Sequence, residues 1–176
     1  GISKSPSIFD DVKLRWLNGE YLKEMSDEEF VKRATPFFEK CNLPKNLDVT
    51  KISKIIKSRI EVFSDIEEKI SFLIKRDDFD SVIYENKKQK TDSELAKQVL
   101  PSVLDCVKNI TDFTNDNLFA TLSSLAEGLG VKSRQLFYVL RVALTGLEVS
   151  PGGATEVADI LGKEESMRRL KQALAW

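Results

Sequence analysis

A stripe of cationic, aromatic and hydroxyl side chains is the most chemically suggestive pattern in the sequence. Its members recur at i, i+4, i+7 and i+11, so on a helix they share about 60° of arc opposite apolar residues. An arginine fork can donate paired hydrogen bonds, and a tyrosine ring can stack on a base. The pattern predicts a surface for unstacked RNA bases and phosphates, with an ordinary polar helix face as the alternative. The stripe consists of Arg134, Tyr138, Arg141 and Thr145.

Arg59 is a second notable cation because it follows a run of isoleucines at helical spacing that begins at Ile52. If that helix continues far enough, Arg59 lies within about 20° of Ile52 on the helical wheel, inside the apolar stripe. A cation placed there must snorkel, pair with an anion or face a ligand. The alternatives are an arginine that leaves the core at a helix end, or one paired with Glu61 or Asp65.

The positive charge of the chain is concentrated in residues 31–60, the basic segment. It contains eight cations and two anions, a net charge of +6, whereas the whole chain has a net charge of −1. Such asymmetry is typical of a surface that meets a polyanion, although a charged run can also be a solvated face. The candidate contacts to a phosphate backbone are Lys51, Lys54 and Lys57, with Lys132 further along the chain.

The composition excludes several kinds of chemistry. The chain has no histidine, which rules out histidine-based acid–base catalysis, Ser-His or Cys-His nucleophile pairs and histidine-ligated metals. Cys41 and Cys106 match no zinc or redox spacing, so two free thiols and no metal are expected. No apolar run approaches the roughly 20 residues that cross a bilayer. The N-terminus has no apolar region typical of a signal peptide. The missing initiator methionine leads us to expect part of a longer protein.

Helix signals recur along the chain and no strand pair with a hairpin turn is evident, so the predicted fold class is all-α. A short helix from Asp10 to Asn18 is expected to stop at Gly19, and the helix that contains the stripe is expected to end at Gly146. Separate helices are predicted before and after Gly162. Capping residues predict five further helix starts, at Ser26, Asp48, Ser64, Thr91 and Thr114.

A charged stretch divides these helices into two groups. Lys75–Asp80 and Glu85–Lys90 interrupt the apolar periodicity, which predicts two helical subdomains, residues 1–84 and 85–176. Most large aromatic residues are expected in the cores of these subdomains. They are Trp16, Phe30, Phe37, Phe38, Phe63, Phe72, Phe119 and Phe137.

Two stretches of sequence resemble a known family. The first is SKSPSIFD at Ser3–Asp10, continued by KLRWLNGEYL at Lys13–Leu22. The second comprises LRVALTG at Leu140–Gly146, SPG at Ser150–Gly152 and ILGKE at Ile160–Glu164. Together they resemble the C-terminal anticodon-binding region of class I glutamyl-tRNA synthetases of the bacterial and organellar type. Because the stretches lie near opposite ends of the chain, the resemblance covers nearly all of it.

The resemblance implies two helical subdomains that form an elongated surface for the anticodon loop of tRNA(Glu). It implies that Arg59 recognises the third anticodon base, that Arg141 contacts the anticodon, and that Ser150 and Pro151 lie against the first anticodon bases. Gly152 would allow the backbone to approach closely. The sequence departs from many relatives after Pro151, where Gly152–Thr155 replaces a stretch in which they have a bulky apolar residue soon after the glycine.

The resemblance also implies that the full-length enzyme attaches glutamate to tRNA with ATP. The HIGH-type and KMSKS-type motifs of that enzyme are not in this sequence, so the chain alone is expected to have no catalytic residue, no cofactor and no activity. We expect a monomer in the cytoplasm, or in an organelle if the source is eukaryotic. The main alternative is a helical protein–protein adaptor without an RNA role. An enzyme with a carboxylate or lysine site fits less well, because no catalytic motif accompanies such residues.

Overall fold

The computed structural model describes the backbone of residues 7–175 and the side chains of residues 10–175. Within this range the chain forms eight α-helices and no strand, and its one isolated β-bridge joins Asn86 to Thr91. The predicted all-α class is therefore confirmed. The beginning of the first family-like stretch, Ser3–Pro6, lies outside the described residues. The helices are α1 (Ser7–Glu24), α2 (Asp27–Glu39), α3 (Val49–Ile56), α4 (Ile66–Ile74), α5 (Ser93–Asn109), α6 (Asn115–Leu129), α7 (Ser133–Thr145) and α8 (Ala154–Ala173).

The chain divides into two compact units, unit 1 up to Ile74 and unit 2 from Lys75. Unit 2 thus begins ten residues before the expected start at residue 85. The reason is that the segment after Lys75 takes part in the core of unit 2. Tyr84 is fully buried, and its carbonyl accepts the Thr91 hydroxyl at 2.7 Å. The carbonyl of the preceding residue, Ile83, accepts a hydrogen bond from the Tyr138 hydroxyl of α7. This segment therefore belongs to unit 2 and not to unit 1.

Two of the three helix starts predicted in unit 1 are confirmed. The start predicted at Ser64 is wrong, because Ser64 lies inside a 3-10 turn, Phe63–Asp65, and α4 begins at Ile66. The Ser26 hydroxyl accepts the Glu29 N–H at 3.2 Å, and the Asp48 carboxylate accepts the Thr50 N–H at 2.9 Å. Pro36 lies inside α2 without ending it. From these starts the helices turn apolar faces toward one another. The buried residues are Phe30, Ala34 and Phe38 of α2, Ile52, Ile55 and Ile56 of α3, and Ile66, Ile70, Phe72 and Leu73 of α4.

Helix α1 continues through Gly19, so the predicted stop at that residue is wrong. Gly19 is buried, and a Cβ added to it would lie 3.2 Å from Cγ and 3.4 Å from Cα of Glu61. Tertiary contact of this kind outweighs the penalty of about 1 kcal/mol for a glycine inside a helix. One turn earlier, Arg15 Nη2 lies 3.1 and 3.0 Å from the two carboxylate oxygens of Asp65. Gly19 therefore allows α1 to lie close to the chain at Glu61.

Two aromatic residues depart from the expected core. Trp16 is 56% exposed and Phe119 is 55% exposed, whereas the other six are buried or half-buried. In unit 1 the half-buried Phe63 ring lies 5.5 Å from the rings of both Phe30 and Phe37. Helix α1 instead packs on the rest of unit 1 through the face that contains Gly19, and Trp16 remains exposed to solvent. Single exposed apolar residues are common on protein surfaces.

Helix α7 is the central helix of unit 2. It contacts α5, α6 and α8, and eight of its thirteen residues are buried. Gly146 closes it in the left-handed conformation with φ of +71°, as predicted. The helix before it differs from expectation at its start, since Asp92 rather than Thr91 caps α5 by accepting the Leu95 N–H at 2.7 Å. The Thr91 hydroxyl instead donates to the Tyr84 carbonyl, so it does not cap the helix.

Helix α8 is broken where the sequence predicted two separate helices. Gly162 has φ of +83° and ψ of 165°, which is non-helical, and helical residues lie on both sides. Because of this break, each half of α8 can bury its own apolar face. Val157 and Leu161 are buried before the break, and Leu170 is buried after it. Among the described helices, none has the length and apolar character needed to cross a membrane.

Candidate nucleic-acid interface

Arg59 lies in a tight turn just after α3, not on the helix. Helix α3 ends at Ile56, and the Arg59 N–H donates to the Ile56 carbonyl at 2.7 Å. The condition that the helix continue through Arg59 is not met, because the chain turns there and buries Ile60, which is 2% exposed. Arg59 therefore points out of the core instead of lying in its apolar stripe.

The carboxylates considered as partners of Arg59 bind another arginine. Glu61 and Asp65 both form ion pairs with Arg15, at 3.3 and 3.0 Å. Among the described residues, the exposed Arg59 side chain has neither a hydrogen bond nor an ion pair. Its guanidinium is consequently available to a ligand, with its full set of donors.

The lysines of the basic segment are not equivalent. Lys51 and Lys54 are exposed on α3. The side chain of Lys57 is only 17% exposed, and its Nζ lies 3.2 Å from the Asp27 carboxylate. Arg33 is likewise paired with an acid of its own helix, Glu29, at 2.7 Å. Part of the positive charge of this segment is therefore neutralised inside unit 1, and Lys54 is the clearer example of an outward cation.

The stripe on α7 is not a continuous surface. The Tyr138 side chain is 3% exposed, and its hydroxyl donates to the Ile83 carbonyl at 2.7 Å. Thr145 is 2% exposed, donates to the Arg141 carbonyl at 2.7 Å and accepts the Leu147 N–H at 3.0 Å. The prediction of an exposed tyrosine face is wrong because α7 is covered on nearly all sides. Burial also raises the pKa of the Tyr138 phenol, which keeps it a hydrogen-bond donor.

The two arginines of the stripe differ in their surroundings. Arg134 is exposed near the start of α7, beside the exposed Lys132. Arg141 is half-buried near the end of the helix, and its Nη2 makes a long hydrogen bond of 3.4 Å to the Gly152 carbonyl. This bond joins α7 to the loop that precedes α8, which is the loop containing the predicted contacts at positions 150–152.

Burial and a hydrogen bond fix the conformation of that loop. Ser150 is 2% exposed, whereas Pro151 and Gly152 are half-exposed, and Gly152 has φ of +75°. The Gly153 N–H donates to the Glu156 carboxylate at 2.9 Å, which closes the loop onto the first turn of α8. Within positions 150–152, the accessible part is therefore the backbone and ring at Pro151–Gly152, with Ser150 beneath it.

Two arginines that the sequence interpretation missed hold the C-terminal end of α7. Arg76 Nη1 donates to the Ala143 carbonyl at 2.6 Å, and Arg169 Nη1 donates to the Leu144 carbonyl at 2.9 Å. The last carbonyls of a helix have no partner within it and attract cations. Arg76 was part of a charged stretch in the sequence. The spacing of Glu165 and Arg169, i and i+4, was the available signal for the other.

Arg169 is fully buried, and its charge is balanced by Glu165. Arg169 Nε donates to Glu165 Oε1 at 3.0 Å, and burial lowers the pKa of the guanidinium. Hydrogen bonds from Arg168 and Arg169 lower the pKa of Glu165 to about 2. The end of α7 is thus fixed by an ionised network.

The turn after α7 lies against the first residues of unit 2. A Cβ added to Gly146 would lie 3.0 Å from the Asp77 carbonyl oxygen and 3.4 Å from the Phe79 ring. Arg76, the residue before Asp77, lies over the Phe79 ring, with its guanidinium carbon 5.0 Å from the ring centroid. The turn at Gly146, where the 147–153 loop begins, is therefore held in place by its contacts with Asp77 and Phe79.

Apart from the buried Tyr138 in the middle of α7, the predicted site residues fall into three groups. Arg141, Thr145 and the residues at 150–152 come together at the end of α7, and Lys132 and Arg134 lie at its start. Arg59 and the three lysines of the basic segment lie on or just after α3 in unit 1. The first group is the best-defined candidate site, because hydrogen bonds fix a loop against a half-buried arginine.

Comparison with known proteins assigns the chain to a family. Residues 29–174 match the family described as the anticodon binding domain, and the chain belongs to that family. It is 43% identical over 170 residues to the glutamate–tRNA ligase of Clostridium acetobutylicum and 42% identical over 173 residues to that of Clostridium novyi. Each match covers 97% of this chain, but only 35% and 36% of the respective relatives, so the chain spans about a third of their length.

A solved structure shows the same fold. The glutamate tRNA ligase of Elizabethkingia meningosepticum superimposes with a TM-score of 0.77 at 22% sequence identity. The match covers 91% of this chain and 31% of that one. The resemblance to glutamyl-tRNA synthetases seen in the sequence is thus confirmed by the relatives, and the all-helical fold by the structural match.

Proposed function

We propose that this chain binds the anticodon loop of tRNA(Glu), as the anticodon-recognising part of a glutamate–tRNA ligase. The observation that carries the proposal is the arrangement of Arg141 in a member of the anticodon-binding family. A half-buried guanidinium is tied to the loop at Gly152, so a planar donor group is held beside an accessible backbone. Donors fixed before binding lose little entropy when they meet a base edge.

The burial of the candidate residues divides their roles. Arg59, Arg134 and Arg141, with Pro151 and Gly152, are the groups that would touch RNA. Tyr138, Thr145 and Ser150 lie beneath the surface and would act by positioning the helix end and the loop. The backbone phosphates would be met by Lys51, Lys54 and Lys132, and more weakly by Lys57, which first has to leave its ion pair.

Catalysis would reside in the rest of the ligase, where ATP and glutamate react. Binding of the anticodon by this chain would hold the tRNA so that its acceptor end reaches the distant active site, and would add binding energy in the transition state. We propose that the chain itself is monomeric and requires no metal or cofactor, and that the ligase works in the cytoplasm.

The test compares two tRNAs that have the same sequence outside the anticodon and differ in the anticodon. We expect tighter binding of tRNA(Glu) than of the anticodon-swapped tRNA, and an affinity that falls steeply as salt increases, because phosphate contacts release counterions. A protein–protein adaptor would show no salt-dependent binding to either tRNA. Equal affinities for both tRNAs would reject anticodon recognition even if a salt slope remained.

A further inference from the structure

An exposed pair of stacked aromatic rings lies on α6 and α7 of unit 2. Phe119 is 55% exposed and Phe137 is half-buried. Their ring centroids lie 5.1 Å apart with an angle of 14° between the planes, so the rings are nearly parallel. This inference rests on the proposed function: we infer that the Phe119–Phe137 pair is a platform on which one base of the bound RNA stacks.

Contacts between α6 and α8 join the start of α6 to the residues that follow the 147–153 loop. The Thr155 hydroxyl donates to the Asn115 side chain at 2.7 Å, and the Asn115 N–H donates to the Asp159 carboxylate at 3.0 Å. Thr155 follows the loop by two residues, and Phe119 follows Asn115 by about one helical turn. The helical turn before Phe119 therefore contacts the first turns of α8, which directly follow the loop that the proposed function assigns to the anticodon.

On α7 the platform lies between the two arginines of the stripe. Arg134, Phe137 and Arg141 recur at i, i+3 and i+7, which gives them one face of about 60°. Phe137 thus occupies the position between the arginines that the sequence pattern gave to Tyr138, whose ring is 3% exposed. The accessible aromatic group of this face is one residue earlier than expected.

The charges around the platform favour a base over a phosphate. Helix α6 contains no lysine or arginine, and Asp116 lies one turn before Phe119. A phosphate directly over this ring would meet a carboxylate, whereas a base offers an uncharged face. The positive charge for the sugar–phosphate chain would come from Arg134 and Arg141. The platform should accordingly contribute affinity that does not depend on salt.

The first experiment measures tRNA(Glu) affinity for Phe119→Ala over a salt series. We expect binding about 5- to 150-fold weaker, the range seen when an aromatic stacking partner is truncated, with an unchanged salt slope. Arg134→Ala should instead reduce the slope by about one unit. Phe119→Trp keeps a flat ring and should bind as the unsubstituted chain does. Thermal unfolding of each variant checks that the fold is retained.

Trp16→Ala is the matched control, because Trp16 is 56% exposed but lies on α1 in unit 1. It should leave tRNA affinity unchanged, which would show that loss of an exposed aromatic ring is not enough by itself. A second measurement uses an anticodon stem-loop with 5-iodouridine in its loop, irradiated in complex with the chain. Cross-linking to the peptide that contains Phe119 is the expected result.

The outcomes separate this inference from the proposed function. If the unsubstituted chain shows no anticodon preference, the proposed function fails and the platform with it. If that preference is present but Phe119→Ala binds as tightly as the unsubstituted chain, only the platform is rejected. A reduced salt slope in Phe119→Ala would also reject it, since the ring would then act through a cation.

Discussion

Arginines in this chain have opposite surroundings, and the surroundings decide what each one does. Arg169 is fully buried and Arg76 half-buried, and both donate to carbonyls at the end of α7. Arg59 is exposed and has no partner among the described residues. Buried guanidinium groups need several acceptors to offset desolvation, whereas an exposed one keeps its donors for a ligand. Arg76 and Arg169 therefore have structural roles and Arg59 is a candidate recognition residue, whereas Arg141 is half-buried, donates to the Gly152 carbonyl and has features of both.

Arg59→Ala tests base recognition in unit 1. We expect a loss of about 1–3 kcal/mol in binding to tRNA(Glu), with weaker discrimination at one anticodon position, because a guanidinium can donate two hydrogen bonds to a base edge. The measurement is the dissociation constant for a set of tRNAs that differ at single anticodon bases. Lys54→Ala is the control on the neighbouring helix, and should weaken all of them alike while reducing the salt slope by about one unit. A uniform loss for Arg59→Ala would make it a phosphate contact.

Glu165 allows a test of the ion network behind α7. Its pKa is lowered from 4.5 to about 2, first by the hydrogen bond from Arg168 and also by that from Arg169. Because the folded-state value is the lower one, the stabilisation is complete above about pH 4.5 and is lost as the pH falls toward 2. Glu165→Gln should lose stability less steeply than the unsubstituted chain over this window, as measured by urea unfolding.

Glu164→Gln is the control for that experiment, since it removes an exposed neighbouring carboxylate. It should keep the acid-dependent slope of the unsubstituted chain. Identical slopes for Glu165→Gln and the unsubstituted chain would show that the network does not stabilise the fold.

The candidate site could be predicted only in part at the level of single residues. The motif around Arg141 and Pro151 located the loop, but Tyr138 could not be assigned to the interior from helix periodicity. Its hydroxyl partner, the Ile83 carbonyl, lies 55 residues away in sequence. Such a partner is set by tertiary packing, which the spacing of residues on one helix does not contain.

At the scale of secondary structure, two glycines that close helices have nearly the same conformation and different neighbours. Gly146 and Gly130 have φ of +71° and +72° at the ends of α7 and α6. A Cβ at Gly146 would lie 3.0 Å from the Asp77 carbonyl oxygen, whereas one at Gly130 would have no heavy atom within 4 Å. The pair can separate the cost of a left-handed backbone from the cost of a steric contact.

Gly146→Ala should therefore destabilise the chain more than Gly130→Ala. Both variants place a Cβ in the left-handed region, at a cost of about 1–2 kcal/mol, and only the first also meets a backbone oxygen. Chemical denaturation gives the two free energies of unfolding. Equal losses would contradict the close approach of the turn to Asp77. A weaker anticodon preference in Gly146→Ala alone would show that this turn positions the 147–153 loop.

The helix starts at Ser26 and Asp48 were predictable because their signals are local, whereas Ser64 does not start α4. Ser26 and Asp48 each cap a helix through a backbone N–H two or three residues away. Helix ends were harder, as Gly19 and the turn before Arg59 show. Whether a helix continues through Gly19 depends on contact with Glu61, and that contact arises only after α1 packs in unit 1. Local propensity is a weak guide where tertiary contacts compete with it.

At the scale of the whole chain, the two kinds of side chain whose ordinary pKa values lie nearest to neutral, histidine and cysteine, offer little change in charge. There is no histidine, and burial raises the pKa of both the Cys41 and Cys106 thiols. The affinity for tRNA(Glu) should therefore change by less than about twofold between pH 6 and pH 8 at constant salt, because a shift in charge would require a titrating group. Fluorescence titration at several pH values measures this. A large pH dependence would reveal a perturbed ionisable group at the RNA interface.

The bonds made by Arg76 show that the two ends of unit 2 meet in space. Its Nη1 lies 3.0 Å from the Arg169 carbonyl oxygen, and its Nη2 lies 3.2 Å from the Gln172 side-chain oxygen. A module whose entering and leaving segments touch can be spliced into a host protein, or circularly permuted, without stretching its backbone. A short linker across this junction, with new termini at Lys87–Lys88, should give a permutant that still folds.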